Sequence, residues 1–243
     1  MEDVIVKEIF STMQEQLVKD NTNDYQLLIP STPSLVGILK VATLQSLVSN
    51  LSLHNVEEDF FYGISPVRED VYDYKQYQFV LQTVLSKTSL NSDLTTYLTI
   101  GLQDQTLTEQ EIKEIVIYRA RVFGQNLLDD IVDIQLRILH YCNISKVPKD
   151  AIYVWANMVS DYLGFKLAIA ISILRDTVAD DVNGITGKIR SIKVGDTDTE
   201  WYAGNYDSSA LSTAFKSRPS IDLDSFVLQY QQSLNAFRVL HTI

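Results

Sequence analysis

The residues best suited to chemistry are the aspartates of the string Asp129-Asp130-Ile131-Val132-Asp133. On a helix, Asp129 and Asp133 fall on one face, and carboxylates one turn apart can hold magnesium against a diphosphate. A second acidic pair, Asp180-Asp181, lies one helix later. Diphosphate chemistry also needs basic residues to grip the substrate, and no Arg/Lys cluster precedes the first group. Asp180-Asp181 runs straight into Asn183-Gly184, which reads as a helix end. A solvated acidic face is therefore the expectation. A magnesium-dependent helical enzyme built on Asp129, Asp130 and Asp133 is one alternative, and a cytosolic helical adaptor is another.

Other reactive constellations are weaker still. Gly184-Ile185-Thr186-Gly187-Lys188 has too few residues between its glycines for a phosphate loop, and Ile189 stands where a hydroxyl must reach magnesium. His54, His140 and His241 show no ligand pair at helical spacing, and no nucleophile-elbow motif frames a serine. Neither a catalytic residue nor a cofactor or metal site is expected.

Composition sets the frame for the elements. The chain has 243 residues, 46% hydrophobic, with only 9 Gly and 5 Pro, which favours a folded and mainly helical protein. Its formal net charge of −11 disfavours binding to phosphate backbones. Cys142 is the one cysteine, so no internal disulfide forms, and synthesis in a reducing cytoplasm is expected. Charged residues scattered from Glu2 to Glu15 argue against a secretory leader, and the apolar run Leu167–Leu174 is short for a membrane span.

Periodicity then places the helices. Val6, Phe10, Met13 and Leu17 predict a first amphipathic helix, ended before Pro30 and Pro33. A second follows from Leu35 to Val48. Ser65-Pro66 reads as the start of a third, rich in Tyr72, Tyr74, Tyr77 and Phe79. Leu90, Leu94, Leu98 and Leu102 mark a fourth. Thr108-Glu109-Gln110-Glu111 reads as a capping box opening a long helix to about Tyr141. Another runs from Ile152 to Leu174 and beyond, and the two long helices are expected to pack antiparallel as a bundle core. The period then changes: Lys188–Val194 and Thr199–Ala203, around a turn at Gly195-Asp196, read as a β-hairpin of residues 188–203. A short helix is expected near Ala210–Phe215. After Arg218-Pro219, Phe226, Tyr230, Leu234 and Phe237 form a stripe on a C-terminal helical arm, residues 219–243, which either closes the core or docks on a partner.

The stretch Gly187–Thr197, behind a long helix that follows Val147-Pro148, resembles the head–tail connector (adaptor) proteins of tailed bacteriophages. Ile189, Ser191, Val194, Gly195, Asp196 and Thr197 match that family's segment between a helix pair and a short hairpin. The resemblance covers about residues 108–243 and implies a connector-like bundle over 106–243, with residues 1–105 as an N-terminal helical extension. It implies a structural virion protein without catalytic residue or cofactor. Such a protein forms a ring, usually dodecameric, between the portal protein and the tail or next neck protein, and lets DNA pass without specific binding and without touching a membrane. Ile192, Gly195, Asp196, Trp201, Phe226, Tyr230, Leu234 and Phe237 are the expected partner contacts. The acidic balance fits a lumen that must not retain DNA.

Overall fold

A computed structural model of the chain describes residues 2–21, 25–61, 74–103, 107–182, 191–194, 197–200 and 223–239. Two of its helices begin where a side chain satisfies a free backbone N–H group. Ser34 Oγ accepts from the Gly37 N–H at 2.9 Å, just after Pro33, and opens the second helix. Thr108 Oγ1 accepts from the Glu111 N–H at 3.3 Å, while Glu111 Oε2 accepts from the Thr108 N–H at 2.7 Å. The capping box thus forms. The helix it opens ends at Asn143, which takes the left-handed conformation (φ 54°) and returns its N–H to the His140 carbonyl.

The fold is mainly α. In chain order the helices are α1 (Asp3–Asp20), α2 (Leu35–Phe61), α3 (Tyr74–Val84), α4 (Thr88–Thr99), α5 (Glu109–Cys142) and α6 (Ile152–Val182), the last preceded by a 3₁₀ turn at Lys149–Ala151. Near the C-terminus come α7 (Leu223–Gln229), α8 (Gln231–Leu234) and a 3₁₀ turn at Asn235–Phe237. Segments Ser191–Val194 and Thr197–Glu200 pair antiparallel, with Val194 opposite Thr197. Residues 188–190, 195–196 and 201–203, which complete the expected hairpin of residues 188–203, lie outside the described residues. So do the helix start at Ser65-Pro66 and the short helix near Ala210–Phe215.

Packing differs from the expectation of a core centred on the two long helices. α5 lies most extensively on α2, and α6 lies mainly on α3 and α4. The physical reason is Gly124. A Cβ at Gly124 would meet the Ala42 carbonyl carbon and oxygen and the Thr43 nitrogen at 2.7–2.8 Å, so only glycine lets α2 approach α5 this closely. One apolar core runs from Ile9, Phe10 and Leu17 through Ile38, Leu39 and Val41 to Phe123, Ile134, Trp155 and Leu167. It joins side chains of the helices before residue 104 to those of the helices after residue 106.

Buried arginine fastens α4. The Arg119 Nη1 donates to the carbonyls of Leu98 (3.1 Å) and Ile100 (2.8 Å), satisfying the α4 C-terminus from inside the core. Tyr97 donates its hydroxyl back to the Arg119 carbonyl at 3.2 Å, and burial pushes that phenol above its ordinary range.

By length and composition, Lys149–Arg175 suffices to cross a membrane, more than the run Leu167–Leu174 alone had indicated. Trp155, Val159, Leu163, Leu167 and Leu174 on this stretch are nevertheless spent on the protein's own core.

Candidate functional site

The three aspartates are not one cluster. α5 turns Asp130 inward, where its two oxygens each lie 2.8 Å from the Lys166 Nζ of α6. Both side chains are buried. Burial raises the Asp130 carboxyl to about 6, and the ammonium of Lys166 only partly offsets it. Asp129 and Asp133 stay exposed on the adjoining face of α5, where Asp129 accepts from Gln125 Nε2 at 2.9 Å. A solvated acidic face is therefore correct for Asp129 and Asp133 and wrong for Asp130. The sequence expectation missed Lys166 because it sought a basic cluster near the aspartates, whereas the partner lies one helix later. The available signal was a lone lysine in the uncharged run from Tyr162 to Leu174.

Two further polar contacts lock the same region. Trp155 donates Nε1–H to the Ile131 carbonyl at 3.0 Å, and Tyr77 donates its hydroxyl to Gln135 Oε1 at 2.6 Å. The Tyr77 and Trp155 rings meet edge to face at 5.6 Å. Outside this layer, a groove of about 400 Å³ lies between α2, α3 and α5. Leu47, Tyr77, Leu128 and Val132 line it, and Asp129 and Asp133 stand at its rim. Asp130 does not reach it. The geometry thus sets two carboxylates toward solvent and commits the third to an ion pair, so the trio does not converge on one point. Among the described residues, no three His, Cys, Asp or Glu side chains are placed to share a metal ion.

The C-terminal stripe is used inside the chain, the first of its two expected roles. Phe226 and Leu234 are fully buried, and the Phe226 ring packs on Tyr162 of α6 at 5.5 Å. Tyr230 donates its hydroxyl to Asp161, and Tyr141 donates to Asn235 Oδ1 at 2.9 Å. The Val239 N–H donates to the Cys142 carbonyl at 2.9 Å, and the Cys142 thiol, its pKa raised by burial, faces the Leu234 carbonyl. Tyr230 and Phe237 are half-buried against the same core. Nor is the stripe one helix: α7 stops at Tyr230, and the chain resumes as the short turns of α8 and Asn235–Phe237.

Of the other expected contacts, Ile192 pairs with Thr199 through the backbone, while Gly195, Asp196 and Trp201 lie outside the described residues. No family model, curated protein or solved structure matches the chain.

Proposed function

We propose that this chain is a structural assembly protein of the head–tail connector kind, a ring-forming adaptor that binds a portal and joins a capsid to a tail. What supports the reading is the order of elements after residue 108. A long helix, a short turn and a second long helix precede two paired four-residue segments. Ser191 and Val194 bound the first segment and Thr197 opens the second, and all three carry the connector resemblance. In this reading Ile192 and Trp201 are among the residues that meet a neighbouring subunit. The −11 charge keeps a DNA-lined lumen from gripping its cargo. The protein is made in a host cytoplasm and ends in the virion neck.

The test is the mass of the purified full chain in solution, alone and with a portal ring, read by native mass spectrometry and electron microscopy. A closed ring, or a portal-bound complex, is the expected result. A chain that forms no ring and ignores the portal at tens of micromolar overturns the proposal.

A further inference from the structure

α6 keeps one face outside the bundle. Asp161, Phe165, Ala168, Ser172 and Arg175 are all exposed. Their separations are four, three, four and three residues, the spacing of a coiled-coil seam over two heptads. The opposite face, with Trp155, Val159, Leu163 and Leu167, is the one the bundle covers. A solvent-facing stripe of a surface helix ordinarily carries charges. Here the only charged residue between Asp161 and Arg175 is Lys166, and it is buried on Asp130. Phe165 leaves 46% of its surface in water.

The ends of the stripe settle what can cover it. Asp161, whose Oδ2 accepts the Tyr230 hydroxyl and whose side chain is still exposed, and Arg175 stand seven residues on either side of Ala168. A second α6 laid antiparallel, crossing at Ala168, brings Asp161 of each copy beside Arg175 of the other. It also sets Phe165 over the second copy's Ser172, a large side chain facing a small one. The two-fold operation makes each of these contacts twice. A parallel copy would stack like charges, so the charges fix the direction. The small side chain of Ala168 permits an interaxial distance of about 8 Å, and the seam is roughly 21 Å long. On a chain of net charge −11, copies repel over most of their surface. This stripe is uncharged along its length and self-complementary at its ends.

We propose that the exposed stripe of α6 is a homodimer surface, in which two copies pair their sixth helices antiparallel about Ala168. It does not rest on the connector reading. A two-fold contact closes at two copies, whereas a ring needs a separate head-to-tail surface.

Sedimentation equilibrium of the full chain tests it. The chain is expected to dimerise in the micromolar range. Phe165→Lys, which buries charge in the seam, should leave it monomeric, with helical content checked by circular dichroism. Arg175→Asp turns two attractions into repulsions at the exposed end of the seam and should weaken the dimer about tenfold, independently of how well Phe165→Lys folds. On mild oxidation Ala168→Cys should link the two copies, since the axis places each residue 168 against its own counterpart, while Arg121→Cys on exposed α5 should not. A wild-type chain monomeric at about 100 µM overturns the proposal. So does a dimer indifferent to both Phe165→Lys and Arg175→Asp, or one that Ala168→Cys does not link. Rings that ignore these substitutions would sink this inference alone, and a dimer without rings would sink only the connector reading.

Discussion

Lys166 reaches across from α6 to hold both carboxylate oxygens of Asp130 on α5, at 2.8 Å each, inside the protein. A buried pair of this kind gives modest net stability, but losing one partner strands a charge where water cannot reach it. Lys166→Met should therefore lower the unfolding free energy by about 3–5 kcal/mol at neutral pH. The double variant Asp130→Leu/Lys166→Met should recover most of that loss. Urea unfolding of the three proteins decides it, and equal losses in the single and double variants would contradict the pairing.

The same carboxylate gives stability a pH dependence. Burial, set against the Lys166 ammonium and aided by Asp133 and Asp129, raises Asp130 from 3.8 to about 6. The folded chain therefore holds this proton more tightly than the unfolded chain does. Its contribution is absent above about pH 6, grows as pH falls from about 6 towards 3.8, and is complete below that. Relative to Asp130→Asn, which cannot titrate there, the native protein should gain stability between pH 7.5 and pH 4. The difference between the two unfolding curves, taken across that range, measures it. A difference that stays flat or shrinks in acid would place the Asp130 carboxyl in its ordinary range.

Much of this fold was legible because local chemistry marks element ends. The hydroxyl-and-glutamate pair at Thr108 and Glu111 opened α5, Pro33 marked the break before α2, and apolar spacing named Phe10, Met13 and Leu17 of α1 and Leu90, Leu94 and Leu98 of α4, while Ile5, Ile9 and Tyr97 went unnamed and Val6 is only half-buried. What pairs with what was not legible, since periodicity gives a helix its buried face but not its neighbour. Gly124 decides the α2–α5 contact through a backbone distance that no side-chain pattern carries. Lys166 and Asp130 are 36 residues apart, beyond any local rule. At the C-terminus the stripe from Phe226 to Phe237 kept a helical period, yet the chain breaks at Tyr230 because its side chains must follow two helices of the bundle at once.

Gly124 is a sharp test of helix approach. Alanine is the better helix former by about 1 kcal/mol, so propensity alone predicts that Gly124→Ala stabilises. The space says otherwise, because the added methyl would sit 2.7 Å from the Ala42 carbonyl carbon, part of a helix backbone that cannot step aside. Overpacking should win, with a net loss of about 1–3 kcal/mol and a lower Tm. A raised Tm would show that α2 and α5 separate easily.

The C-terminal segment should behave as part of the core. Phe226 is 1% exposed and Leu234 0% exposed, and both close over side chains that α5 and α6 present, Tyr162 and Cys142 among them. Ending the chain at Ser217 removes these lids and leaves the Cys142 carbonyl without the Val239 N–H. The shortened protein should melt well below the full chain and expose apolar surface to a dye such as ANS. Phe226→Ala alone should cost about 3 kcal/mol, near the lower end for a buried phenylalanine because a terminal segment can settle into part of the gap. Thermal melts of both proteins, followed by far-ultraviolet circular dichroism, distinguish a lid from an arm. An unchanged Tm in the shortened chain would mean that the bundle is complete without the segment, and the arm reading would return.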